Sequence, residues 1–209
     1  MRKLLVLFVL LLWAAPLWAQ NEVAEAYQRS YALESAQDYP RAAAALIPLW
    51  EVHPQGYTLN LRLGWLYYLQ NKQANAIEHY TRAVQAYPLS LEARLGLSLP
   101  YLAQRRWSEA EQILTDVLKR DHYNFYGNLY LARVYRFEGK LELAETLLMQ
   151  TLYLYPTNSQ LLLEWGEVLT AQNKVEQGRQ VLADLLVLDP ENLRAKALLK
   201  VLAVAERHE

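Results

Sequence analysis

The chain has 209 residues, 53% of them hydrophobic and 21% charged, with a formal net charge of −1. That near balance lacks the basic surface that phosphate binding requires, so nucleic acid is not an expected partner. The sequence contains no cysteine, which excludes disulfides and a lipid attachment site of the bacterial lipoprotein kind.

The first element is residues 1–19. Arg2 and Lys3 precede an uncharged apolar run from Leu4 to Ala15, and Pro16, Leu17, Trp18 and Ala19 follow. A basic head, a short apolar middle and a small final residue make up a secretory signal peptide, with cleavage expected after Ala19 although Leu17 is bulky for its place. The alternative is an uncleaved membrane anchor. Against it, the run is short for a span of about 20 residues and Pro16 ends it. The expected location is therefore periplasmic or secreted, with membrane contact only if the segment is kept. Removing Arg2 and Lys3 from the 21 basic residues leaves 19 against 22 acidic ones, a mature formal charge near −3.

From residue 20 to residue 209 one period governs the chain. Pro54, Pro88, Pro156 and Pro190 fall on a 34-residue grid, and His122 occupies its remaining node. The units are 23–56, 57–90, 91–124, 125–158 and 159–192, without insertion or deletion. A fixed period of this length marks a stacked repeat array. Place one is the first residue of each unit.

Two places carry small side chains in every unit. Place eight holds Ser30, Gly64, Ser98, Ala132 and Gly166; place twenty holds Ala42, Ala76, Ala110, Ala144 and Gly178. These allow two helices to approach closely. Bulky residues recur at place eleven (Leu33, Tyr67, Tyr101, Tyr135, Leu169) and at place twenty-four (Leu46, Tyr80, Leu114, Leu148, Leu182). Burying each contributes on the order of 1.5 to 3 kcal/mol, so they read as core.

A turn between the helices is read from Gln37 and Asp38, Asn71 and Lys72, Arg105 and Arg106, Gly139 and Lys140, and Asn173 and Lys174. The grid prolines end each second helix, and His122 takes the same turn position. Pro40 suits a helix start. Pro48 and Pro100 predict local kinks. Residues 193–206 read as a capping helix with apolar Leu193, Ala197, Leu198, Val201 and Leu202.

In its second unit, Leu63, Gly64, Tyr67, Ala76, Tyr80, Ala83 and Pro88 resemble the tetratricopeptide repeat motif. The resemblance extends from Val23 to Asn192. It implies an all-α fold of the TPR-type α-solenoid class, with five 34-residue helical hairpins, and a bacterial exported member of that family. One mark departs: the family's frequent tryptophan at place four is Ala26, Asn60, Arg94, Asn128 and Leu162 here.

Helical arithmetic puts places two, five, nine, twelve and thirteen of each first helix on one face, the expected inner wall. That wall carries Tyr27, Tyr31, Trp65, Tyr68, Leu95, Leu99, Leu102, Tyr126, Leu129 and Phe137. Packing between neighbouring repeats accounts for some of these; the rest read as a binding groove. Arg133 and Arg136, three residues apart and so on one face, suit a carboxylate or another anion. The competing reading pairs them with Glu92, Glu138 or Glu167. The expected groove residues are Tyr27, Tyr31, Trp65, Tyr68, Tyr126, Arg133, Arg136 and Phe137. The resemblance implies that this surface receives an extended peptide or a helix. Family members that grip a terminal carboxylate use lysine and asparagine at places five and nine. Tyr27, Leu61, Leu95, Leu129 and Leu163 at place five do not support that activity.

No catalytic constellation, metal spacing or cofactor motif is visible: His53, His79, His122 and His208 are scattered and no phosphate loop occurs. The expected function is a non-catalytic periplasmic scaffold binding a peptide segment or helix of an envelope protein. The alternative is glycan binding, because aromatic faces stack on sugars and the chain resembles repeat proteins of polysaccharide export systems. The exposed ends of a stack also permit self-association.

Overall fold

Residues 21–205 are described by the computed structural model. The signal peptide expected over 1–19, its cleavage point, His208 and the last capping residue, Glu206, lie outside them. Among the described residues there is no strand, and helix follows helix in the 34-residue register. Helix α1 covers 21–35. Then come α2 (Tyr39–Ala44), α3 (Ile47–Val52), α4 (Tyr57–Leu69), α5 (Gln73–Ala86), α6 (Leu91–Ala103) and α7 (Trp107–Arg120). After these lie α8 (Phe125–Phe137), α9 (Leu141–Leu154), α10 (Ser159–Ala171), α11 (Val175–Leu188) and α12 (Leu193–Ala205).

Each first helix stops for the same local reason. Place fifteen has a left-handed backbone in all five units: Gln37, Asn71, Arg105 and Asn173 have φ of 56 to 59°, and Gly139 has φ 75°. The next amide then reaches back to the carbonyl of place eleven, from Asp38 to Leu33 at 2.8 Å through Lys174 to Leu169 at 2.9 Å. This bond satisfies a carbonyl that the helix end would otherwise leave open. Glycine adopts the conformation freely and asparagine tolerates it, but arginine gains nothing from it. Arg105→Gly is therefore expected to stabilise the chain by about 0.5 to 1 kcal/mol. Thermal unfolding checks this, and an unchanged or lower midpoint would refute it.

The second turn is equally regular. The amide of place thirty-four donates to the carbonyl of place thirty-one in every unit, including Asn124 to Asp121 at 3.1 Å beside His122. His122 thus sits in the turn that proline occupies elsewhere. Asn124, Asn158 and Asn192 then cap the following helices by accepting backbone N–H bonds.

In the second and fourth repeats the asparagine at place four fastens this turn. Asn60 Nδ2 donates to the carbonyls of Pro54 at 2.8 Å and Gly56 at 2.9 Å. Asn128 Nδ2 repeats the pattern on His122 and Asn124, both at 2.9 Å. Around Asn60 the rest of the amide is also used: Oδ1 accepts from Trp50 Nε1 at 3.2 Å and from His79 Nδ1 at 2.9 Å. Because Asn60 Oδ1 is only an acceptor, the proton is on Nδ1 of His79. Burial lowers the pKa of that imidazole, which favours its neutral form.

The chain divides between Pro100 and Tyr101 into two compact units. In the first, α4 packs on α5 and α2 on α4, burying Leu46, Leu63 and Leu66 completely. Place eight meets place twenty-four: a Cβ on Gly64 would come within 2.8 Å of the Tyr80 ring. Pro48 does more than kink its helix. It stands at the start of α3 after a turn at 45–46, so the second helix of the first repeat is two segments. Helix α6 continues as one segment past Pro100.

In the second unit α8 pairs with α9 and α10 with α11. Gly166 meets Leu182 as Gly64 meets Tyr80, with a would-be Cβ 2.5 Å from a leucine methyl. Helix α12 covers α10 and α11, but with a different stripe from the expected one. Ala195, Leu198 and Leu202 are buried, whereas Leu193 and Val201 are exposed. The helix is rotated so that Leu202 packs 3.1 Å from the place where Gly178 would carry a Cβ.

Candidate functional site

In the first unit the aromatic residues of α1 and α4 are organised by a charge pair that periodicity on one helix did not reveal. Glu34, at place twelve of the first repeat, pairs with Arg62, at place six of the next. Its Oε1 also accepts from Trp65 Nε1 at 2.6 Å. Arg62 is 8% exposed. It donates to Ser30 Oγ at 3.3 Å and lays its guanidinium 4.0 Å over the ring of Tyr31. The result is a fixed platform. Tyr31 and Trp65 are set by Arg62 and Glu34 rather than free to swing.

Tyr31 and Trp65 line one cavity of about 480 Å³, with Tyr57, Leu61, Arg62 and Glu92 completing its walls. Tyr57 is fixed there by hydrogen bonds with Ser90 Oγ at 2.8 Å and to Glu92 at 3.0 Å. Tyr27 and Tyr68 are outside the lining but next to it: Tyr27 is 6.4 Å from Tyr31 and Tyr68 is 5.7 Å from Trp65, ring centre to ring centre. Burial raises the pKa of the Tyr27 phenol, with Tyr31 adding to the effect and Arg62 opposing it. The four expected aromatics of this unit therefore come together in pairs, with one member of each pair at the cavity.

In the second unit Arg133 and Arg136 share a face, as expected, but their anion is internal. Arg133 Nε donates to Glu164 at 3.0 Å and Arg136 Nε to the other oxygen of Glu164 at 2.6 Å. Arg136 also meets Glu167 at 2.5 Å, and Arg194 bonds Glu167 at 2.6 Å. Of the three expected carboxylates only Glu167 takes part; Glu138 pairs instead with Lys140. Glu164 is 2% exposed. It stands at place six, so Arg136 and Glu164 repeat the contact of Glu34 and Arg62 with the signs exchanged. Three guanidinium groups against two carboxylates leave this ladder with one positive charge in excess.

Phe137 joins Arg133 and Arg136 at a cavity of about 530 Å³. Its ring stacks on Trp107 at 4.8 Å and 4°, with the Arg136 guanidinium 4.4 Å from its centre. Tyr126 is not part of that cavity. It is half-exposed, 5.0 Å from Phe125 and 5.7 Å from Tyr130. Leu129 is 2% exposed and belongs to the core. Among the described residues no group of three or more His, Asp or Glu side chains is arranged to hold a metal. No helix among them is long and apolar enough to cross a membrane.

Two family models, each described as tetratricopeptide repeat, match residues 27–90 and 69–124. Residues 27–124 thus carry tetratricopeptide repeats. The fold of the chain agrees with solved tetratricopeptide structures. A thermophilic TPR protein of Thermus thermophilus superposes with a TM-score of 0.70 at 18% identity, covering 87% of this chain and 98% of that one. YrrB, a TPR protein with an unusual peptide-binding site, gives 0.66 at 15% identity over 84% and 90%. Pseudomonas aeruginosa pilF gives 0.75 at 17% identity over 90% and 86%. At these identities the likeness is one of fold. No curated protein sequence matches the chain. The tetratricopeptide fold is that of a protein-interaction scaffold, a class that is generally non-catalytic.

Proposed function

We propose that this tetratricopeptide chain is a non-catalytic scaffold that binds a peptide segment or helix of an envelope protein after export. The observation that carries the reading is the first-unit cavity, where Tyr31 and Trp65 are held in place by Arg62 and Glu34. Aromatic side chains fixed in this way bind at low entropic cost, because little freedom remains to be lost. Export is supported by the order of residues 1–19, and peptide binding by the peptide-binding site named for YrrB. A glycan is the less favoured ligand. One face of Tyr31 already carries a guanidinium, and the Trp65 indole N–H is committed to Glu34, which leaves Trp65 no indole donor and Tyr31 only one face for a sugar.

Tyr31→Ala with Trp65→Ala is expected to lower affinity for the partner at least about 30-fold, the loss of one strong aromatic contact of 2 kcal/mol or more. Cross-linking in an envelope extract identifies the partner, and calorimetry with its mapped segment measures the loss. Unchanged affinity would remove the groove from consideration.

A further inference from the structure

Asn128, in the second unit, has an unused hydrogen-bond acceptor. Its two amide hydrogens are both committed to backbone carbonyls, which fixes the orientation of the group, and Oδ1 accepts no hydrogen bond from any described residue. The side chain is 6% exposed and lines a cavity of about 530 Å³. That volume lies within the roughly 300 to 1,000 Å³ of ligand pockets. The other walls include Tyr123, Met149, Tyr153 and Leu154. Thr151 Oγ1 cannot serve Asn128, because it donates to the Leu147 carbonyl at 2.7 Å.

The first unit contains the same asparagine with its acceptor filled. Asn60 ties the same two turn carbonyls and takes bonds from the Trp50 indole and the His79 ring. In the repeat register, Trp50 corresponds to Leu118 and His79 to Leu147. Neither leucine has a donor. Two repeats earlier the protein thus shows what fills such an acceptor, a flat ring with one N–H pointing at the asparagine oxygen; at Asn128 the places of those rings hold leucines outside the cavity lining, so a donor has to come from the cavity side. Tyrosine and methionine side chains suit the faces of such a ring.

We propose that this cavity receives a tryptophan side chain from a segment of a protein partner, with the indole N–H donating to Asn128 Oδ1. The contact lies between the turn at His122 and helix α9, so it is additional to the first-unit groove and does not depend on it. The test is an NMR titration of the full chain, isotope-labelled, with N-acetyl-tryptophanamide and with its 1-methylindole counterpart. Saturable shifts are expected at the Asn128 side-chain amide, with the methylated probe about five-fold weaker for the loss of one hydrogen bond. Tyr123→Ala with Tyr153→Ala should abolish saturation. Tyr123 and Tyr153 are 66% and 87% exposed, so this variant keeps the fold. Equal affinity for both probes, saturation that survives the double substitution, or no saturable shift would each overturn the proposal. Tyr31 and Trp65 are untouched in this experiment, so its failure leaves the first-unit reading standing.

Discussion

Gly96→Ala is expected to destabilise the first unit by about 2 to 3 kcal/mol, a large effect for one methyl group. In an exposed helix the same change would stabilise by about 1 kcal/mol, because alanine is the better helix former. Here the added Cβ would stand 2.2 Å from Tyr80 Cε1 and 2.7 Å from Cδ1. Tyr80 is 3% exposed and bounded on another side by Gly64, whose Cβ would be 2.8 Å from the same ring. The ring has nowhere to withdraw.

Every other repeat carries leucine where this one has Tyr80, which supplies the control. Tyr80→Leu alone should be destabilising through lost packing, but Gly96→Ala should cost far less in that background, giving a coupling of about 1 kcal/mol or more. Urea unfolding of the four proteins measures it. Additive losses, or a Gly96→Ala protein as stable as the wild type, would show that the ring is not confined by the two glycines.

This pair also marks how far the sequence could be read. Glycine or another small residue at place eight, and a bulky one at place twenty-four, follow from the period alone, and Gly64 against Tyr80 and Gly166 against Leu182 are the contacts that result. Gly96 stands at place six, which shares no side chain type from unit to unit. Arg62, Gly96, Tyr130 and Glu164 all occupy it. A place that varies in this way carries no signal in a repeat alignment. Yet it faces the neighbouring repeat, and there Arg62 meets Glu34 and Glu164 meets Arg136. Periodicity on a single helix finds which residues share a face. It does not find which face of the next hairpin they touch.

The same limit explains the candidate site. Trp65 and Tyr68 are three residues apart and were bound to be neighbours; their rings are 5.7 Å apart. Tyr126 and Arg133 share a face too, but seven residues of helix separate them by about 10 Å, and only Arg133 reaches the cavity beside Phe137. The second-helix cavity at Asn128 had one legible trace, the replacement of tryptophan by asparagine at place four. Its meaning depended on the turn carbonyls of His122 and Asn124, which only the folded chain brings to it.

Replacing Glu164 by alanine is expected to cost about 3 kcal/mol, the lower end of the range for breaking a buried ion pair. The carboxylate has both oxygens engaged, by Arg133 at 3.0 Å and by Arg136 at 2.6 Å. Without it, Arg136 keeps Glu167, while Arg133, whose side chain is 40% exposed, turns toward water. That escape is why the loss falls short of a fully buried pair. Arg194→Ala, at the solvent end of the ladder, should cost between about 0 and 1 kcal/mol, since the Arg194 side chain is 59% exposed. The two contributions also differ in their response to salt. At 1 M the screening length falls to about 3 Å, so the small Arg194 effect should vanish and most of the Glu164 effect should persist. Urea unfolding at low and high salt separates them. A Glu164→Ala loss no larger than that of Arg194→Ala, or one erased by salt, would mean that the buried carboxylate does not hold the fourth and fifth repeats together.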